Sequence, residues 1–146
     1  MLKHTFRFVL SMIALALVLG PVTALQAADD DKPKEMKDHM EIISRNMKKL
    51  KKDVADSSKN EASAKLAAEA CTHAAAAKGF VPEKAKEVPA DKREKFVAEF
   101  KAMMDELIAN FKKLEAALKE GKNDEAQKIY DTLMGMKKTG HDKFTE

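Results

Sequence analysis

Apolar residues recur three and four positions apart over most of this chain, and this spacing constrains the fold more than any other feature. One such series is Met36, Met40, Ile43, Met47, Leu50 and Val54. A longer series is Phe96, Phe100, Met103, Leu107, Phe111, Leu114 and Leu118. Residues with this spacing line one face of an α-helix, whereas a half-buried strand requires apolar and polar residues to alternate. The sequence therefore predicts an all-α protein.

Four helical stretches are separated by three breaks, at residues 56–60, 80–90 and 120–123. The second stretch, 61–78, is rich in alanine, and Gly79 and Gly121 stand where glycine commonly ends a helix. Three residues have side chains suited to capping the starts of the last three helices: Asn60, Asp91 and Asn123. Because two of the breaks are short, consecutive helices should pack antiparallel. We predict an up-down-up-down antiparallel four-helix bundle.

Residues 1–27 have the order of a secretory signal peptide. Basic Lys3 and Arg7 precede an apolar run at 8–19, and small residues follow up to the predicted cleavage point. The apolar run is shorter than the ~20 residues that span a membrane, which disfavours the alternative of an uncleaved N-terminal anchor. We expect this segment to be removed on export to the periplasm, leaving a single domain at 28–146 with no membrane attachment.

Charge and composition exclude several classes of function. The formal net charge is +3, and loss of Lys3 and Arg7 with the signal peptide lowers it to +1. That charge is too small for nucleic-acid binding, which needs a strongly positive surface. The one cysteine excludes an intramolecular disulfide framework and a cysteine-rich zinc module. Since the sequence has no nucleophile elbow, phosphate-binding loop or His-x-x-x-His pair, we expect that the protein is not an enzyme. We also expect it to be a monomer.

The antiparallel arrangement brings two potential iron ligands to the same end of the bundle. Met40 lies near the start of the first helix, and His141 lies near the end of the fourth. A thioether and an imidazole on opposite walls of an apolar slot are the axial pair of a six-coordinate haem. Phe96 and Phe100 begin the third helix at that end, where flat rings could pack against a porphyrin. Ordinary roles remain open, since methionine and phenylalanine commonly fill a core and a terminal histidine is commonly solvated.

Four short segments of the chain carry a resemblance to a known family. Residues 38–41, Asp-His-Met-Glu, look like its first helix around a methionine ligand, and 96–100 carry its Phe-x-x-x-Phe pair. Residues 120–127 look like its turn into the last helix, and 141–144, His-Asp-Lys-Phe, look like its closing segment. In order and spacing, 34–144 resembles the soluble cytochrome b562 family, whose fold is an up-down-up-down four-helix bundle.

The resemblance implies a site for one non-covalent b-type haem per chain. Its residues would be the axial ligands Met40 and His141, with Phe96, Phe100 and Lys137 around the porphyrin. The related cytochromes c′ end in Cys-x-x-Cys-His, but Lys137 and Gly140 stand at those cysteine positions, which excludes covalent attachment. Lys137 could reach a haem propionate, and Gly140 could let the porphyrin approach the helix backbone. With both axial positions filled, we expect electron transfer to partner proteins that the sequence does not identify.

Two alternatives to haem binding remain at this point. Met36 and Met40 share a helix face near His39, and soft thioethers with imidazole suit Cu(I). The other alternative is a bundle without haem that acts as an interaction protein of the cell envelope. Because His39 is adjacent to Met40, it should point to a different face, toward solvent, whereas Cys71 is expected to be a small core residue.

Overall fold

The computed structural model describes residues 35–145, and these form the predicted bundle. The helices are α1 (Met36–Asp53), α2 (Asn60–Ala77), α3 (Ala90–Lys119) and α4 (Asn123–Phe144), with short 3-10 turns at Ser57–Lys59 and Glu83–Lys86. The predicted signal peptide lies outside the described residues. Within the part that the structure describes, no helix combines the length and apolar character needed to cross a bilayer.

The core follows from the apolar series that run along each helix. Met47, Leu50, Phe111, Leu114 and Leu133 are all almost completely buried. The alanines of α2 form the thin face on which it packs: Ala64, Ala67, Ala70, Ala74 and Ala77. Such small side chains allow α2 to contact both α1 and α3 closely. By contrast, the backbones of α1 and α4 meet at few points, and these two helices are joined mainly by side chains.

The helix ends show where local sequence signals were sufficient. Gly121 has φ +71°, and its N–H donates to the carbonyl of Leu118 while the N–H of Lys122 donates to that of Ala117. This is a Schellman motif, in which glycine takes the left-handed conformation that other residues avoid. The glycine stop predicted for the third helix is therefore confirmed.

The predicted caps are wrong in detail, because tertiary contacts use the same side chains. Asn60 and Asn123 are each the first residue of a helix, and their amides bond to each other at 2.8 and 3.2 Å. Asn123 also donates to the carbonyl of Val54 at 2.9 Å. α3 begins at Ala90 after Pro89 with no side-chain cap, so Asp91 does not form the expected capping bond. The asparagine pair instead ties three helices together at one end of the bundle.

Candidate functional site

Three hydrogen bonds fix how α1 and α4 lie beside each other. The pairs are Asn123 to Val54 at 2.9 Å, Tyr130 to Met47 at 3.0 Å, and Lys137 to Ser44 at 2.8 Å. As the position on α4 rises, its partner on α1 falls, so the two helices run antiparallel. Continued by one further turn, this register brings Met40 level with His141.

A cavity opens at this end of the bundle, away from the asparagine pair. It has a volume of about 110 Å³ and is enclosed by α1, α3 and α4. Met40, Phe100, Lys137 and His141 all line it, so four of the five residues predicted for the site surround one space. The remaining residue, Phe96, does not line it. The antiparallel topology therefore places a thioether and an imidazole, 101 positions apart in sequence, on the walls of the same cavity.

An aromatic cluster forms one side of the cavity. Phe144 is buried, with its ring centroid 5.4 Å from that of Phe100 in an edge-on arrangement and 5.1 Å from that of Phe96. Phe144 lines the cavity along with Phe100. Phe96 thus packs behind Phe144 at this cavity, and its predicted contact with a porphyrin stays a prediction.

Methionine dominates the rest of the lining. Six of the seven methionines in the described part of the chain line the cavity: Met36, Met40, Met47, Met103, Met104 and Met136. The seventh, Met134, is exposed on α4. Thioether side chains are unbranched and polarisable, so they can rearrange around an inserted group more easily than branched side chains. The cavity is accordingly apolar, adaptable and rich in soft donor atoms.

Gly140 lines the cavity, so at this position of α4 no side chain separates the helix backbone from it. A Cβ atom at Gly140 would lie 2.5 Å from Cε of Met103 and 3.2 Å from its Sδ, and Met103 itself lines the cavity. The side chain of Met103 therefore occupies the space beside the residue that precedes His141. A cavity of 110 Å³ is smaller than the roughly 300–1,000 Å³ of ligand pockets. A flat macrocycle fits only if flexible side chains such as Met103 move. Movement of Met103 would leave free the space beside Gly140.

Polar groups border the cavity on the α4 side. Lys137 is exposed, and its Nζ donates to Oγ of Ser44 at 2.8 Å, bridging α4 and α1. His141 is also exposed, and its Nδ1 lies 2.9 Å from Oγ1 of Thr145. Both Ser44 and Thr145 line the cavity. An entering ligand would therefore meet an apolar interior with one cation and one imidazole at its edge.

His39 does not face solvent, which corrects the sequence prediction. It is only 8% exposed, and its Nδ1 lies 2.9 Å from Nδ1 of His73 on α2. Its ring also contacts that of Phe80, at a centroid distance of 5.8 Å. Adjacent helical positions point about 100° apart, and α2 covers the side of α1 that carries His39. The imidazole of His39 thus packs against α2, whereas Met36 and Met40 line the cavity. The three side chains therefore do not meet at one copper site.

The His39–His73 pair predicts a pH dependence of stability. Burial lowers the pKa of His39 from its ordinary value, the neighbouring His73 lowers this pKa further, and Asp38 opposes the shift. Below about pH 6.5 the unfolded chain then takes up a proton more readily than the folded one, so stability falls as the pH falls. We expect the urea midpoint of the haem-free protein to decrease between about pH 7.5 and 5.5.

The substitution His39→Gln tests this assignment, because glutamine keeps a hydrogen-bonding amide but does not titrate. The variant should show a shallower loss of stability over the same pH range. An unchanged pH slope would show that the buried imidazole of His39 is not its source.

The cysteine is remote from the cavity. Cys71 is half-buried against the core on α2, and its Sγ faces the carbonyl of Ile108 on α3 at 3.8 Å. Burial raises the pKa of its thiol, which disfavours the reactive thiolate. Its expected role as a small core residue is consistent with this position.

The described part of the chain is similar to a known protein family. The sequence model described as cytochrome b562 matches residues 35–145, which coincide with the described part of the chain. Comparisons with curated proteins and with solved structures give no match. Members of the matching family are haem-binding electron carriers. Because the match covers well over half of the sequence and the fold is the expected bundle, this chain belongs to the cytochrome b562 family.

Proposed function

We propose that this chain is a periplasmic electron-transfer protein that binds one non-covalent b-type haem through Met40 and His141. The observation that carries this proposal is the cavity that both residues line, beside the bare helix backbone at Gly140. The two ligands come from different helices, so the bundle fold is needed to bring them together. Since the only cysteine, Cys71, lies between α2 and α3, no thiol is available for covalent attachment.

Each residue at the cavity has a distinct task in this proposal. Met40 supplies a soft thioether, which favours ferrous iron and raises the reduction potential relative to harder ligands. His141 would supply an imidazole nitrogen as the other ligand, and Lys137 would exchange its bond to Ser44 for one to a propionate. The methionines and aromatic rings exclude water, which also affects the potential. With both axial positions taken, iron would supply one-electron transfer and offer no open site for a substrate.

Sequence features support the proposed location. The leader at 1–27 supports export, and family members are typically periplasmic. The domain at 28–146 has a charge of only +1, which supports neither nucleic-acid binding nor attachment to an anionic membrane. We propose a monomer that exchanges electrons with other redox proteins of the same compartment.

Titration of the purified haem-free protein with haemin tests the proposal. We expect binding to saturate at one haem per chain, with a sharp Soret band and resolved low-spin bands after reduction. Haem at one hundred times its dissociation constant should stabilise the bundle by about 2.7 kcal/mol. A spectrum indistinguishable from free haemin would refute the proposal. If the protein bound neither haem nor copper, the remaining alternative would be an interaction protein of the cell envelope.

Gly140 offers a second test, with Gly135 as its matched control in the same helix. A Cβ at Gly140 meets Met103, whereas one at Gly135 meets nothing within 4 Å. Gly135→Ala should therefore stabilise the haem-free protein by about 1 kcal/mol, the ordinary helix propensity gain, and leave haem affinity unchanged. Gly140→Ala should weaken haem binding about tenfold, because the added methyl group would enter the space proposed for the porphyrin. Such overpacking costs about 1–3 kcal/mol. Equal haem affinities for the two variants would contradict close approach at Gly140.

The methionine lining favours copper as a second candidate ligand. Thioethers select Cu(I), and among the described residues no cluster of three or more His, Cys, Asp or Glu could hold a metal ion. We therefore place the candidate copper site at the cavity methionines, with Met36 and Met40 among its donors. Cu(I) titration of the haem-free protein should lose affinity in Met36→Leu but not in Met134→Leu, since Met134 lies outside the cavity. Identical titrations of the two variants would exclude this site.

A further inference from the structure

We propose that Thr145 is a positioning residue for His141, holding the neutral imidazole with its proton on Nδ1 so that the lone pair of Nε2 is free for iron. Thr145 lies just beyond the last turn of α4 and lines the same cavity as His141. The role in iron binding rests on the proposed function, whereas the hydrogen bonds between Thr145 and His141 can be tested without haem.

The assignment of the proton follows from counting donors. Oγ1 of Thr145 lies 2.6 Å from the carbonyl oxygen of His141 and 2.9 Å from Nδ1 of the same residue. A hydroxyl has one proton, and a carbonyl oxygen can only accept. The hydroxyl must therefore donate to the carbonyl, so the contact with Nδ1 is a hydrogen bond only if Nδ1–H donates to Oγ1. In a neutral imidazole Nε2 then carries no proton.

Two other threonines of the described chain make the bond to the carbonyl but have no imidazole beside it. Thr132 on α4 and Thr72 on α2 also donate to the carbonyl four residues earlier, at 3.0 and 3.1 Å. This is the ordinary local bond of a helical threonine. At both of those positions the earlier residue is not a histidine, as Lys128 and Ala68 accept the bonds. Thr145 places the same bond where an imidazole can use its oxygen.

Thr145 is also held from two sides. Its N–H donates to the carbonyl of His141 at 3.1 Å, and its own carbonyl accepts from Nζ of Lys84 at 3.0 Å. Lys84 belongs to the 3-10 turn between α2 and α3. The connection that covers this end of the bundle therefore restrains the residue that orients the ligand.

The tautomer matters because a metal binds only the unprotonated nitrogen. The bond made by one ring nitrogen determines which nitrogen faces the metal and how basic it is. Loss of such a partner typically lowers metal affinity about 10–100-fold. We expect a loss of haem affinity in that range for Thr145→Val, whereas Thr145→Ser, which keeps the hydroxyl, should retain it.

Nitrogen-15 NMR of the haem-free protein at about pH 8.5, where imidazoles are neutral, tests the arrangement directly. Nδ1 of His141 should give the signal of a protonated nitrogen and Nε2 that of an unprotonated one. Thr145→Val should shift this pattern toward protonated Nε2, and Thr145→Ser should not. A wild-type ring protonated mainly on Nε2, or a pattern unaffected by Thr145→Val, would overturn the proposal.

Haem dissociation rates provide the second measurement, with Thr132→Val as the matched control. This control removes from α4 a hydroxyl bond of the same kind, to the carbonyl four residues earlier, without touching a histidine. Faster dissociation in Thr145→Val alone supports the positioning role, and equal rates in the two variants refute it. Failure of the wild-type protein to bind haem would refute the proposed function, while the NMR result would still decide the tautomer.

Discussion

Replacing His141 with alanine is expected to convert the haem-loaded protein from a six-coordinate low-spin species to a five-coordinate high-spin one. The reason is that α4 would lose its proposed iron ligand, and the side chains next to it in the cavity, at Gly140, Phe144 and Thr145, offer no nitrogen donor. The change should appear as a shifted, broadened Soret band and loss of the low-spin bands after reduction. Haem should also dissociate much faster, because only Met40 would still hold the iron.

The companion substitution Met40→Ala should also give a high-spin spectrum, accompanied by a lower reduction potential, since loss of the thioether removes the ligand that favours ferrous iron. Met36→Ala is its matched control. It removes a thioether from the same face of α1, one turn away and in the same cavity, but leaves the proposed ligand in place. Low-spin spectra for both His141→Ala and Met40→Ala would show that the axial ligands are other residues.

The sequence predicted the fold well because the bundle depends on features that recur locally. Apolar spacing identifies the buried face of each helix without knowledge of its neighbours, and a glycine such as Gly121 ends a helix through its own backbone conformation. Met40 and His141 could be assigned to one end because antiparallel order requires only that helices be counted. Each of these inferences uses either a pattern within one helix or turn, or the number and order of the helices.

The errors arise where a side chain serves two neighbouring elements. His39 lies outside the apolar series, yet α2 covers it because His73 and Phe80 stand opposite. Asn60 and Asn123 are residues of a type that commonly caps helices, but here their side chains hydrogen-bond to each other at the end of the bundle. Such contacts depend on the rotation and register of two helices, which single-helix periodicity does not contain.

The same limit affected the cavity wall. Apolar spacing places both Phe96 and Phe144 on helix faces that turn inward, and only the packing shows that Phe144 lines the cavity while Phe96 lies behind it. Thr145 could have been noticed from sequence, since it stands four residues after His141. Its role becomes apparent only when its oxygen is seen to contact both the carbonyl and Nδ1.

Alanine at Phe100 and at Phe111 should destabilise the haem-free protein by similar amounts, but only the first should affect haem binding. Both rings are buried on α3, and Phe100 lines the cavity whereas Phe111 does not. Removal of a buried phenylalanine ring costs about 3–5 kcal/mol, a large part of the roughly 5–15 kcal/mol that keeps a domain folded. Denaturant melts with and without haem measure both effects.

The comparison depends on thermodynamic linkage. Haem stabilises the folded state by an amount set only by its concentration and dissociation constant, so a change confined to the core lowers the stability of both forms equally. Phe111→Ala should therefore leave the difference between the two melts unchanged, and Phe100→Ala should reduce it. Leucine at either position retains most of the core volume and keeps the test valid if an alanine variant fails to fold. An equal reduction at both positions would mean that haem binding depends on general core integrity, and would remove Phe100 from the proposed pocket.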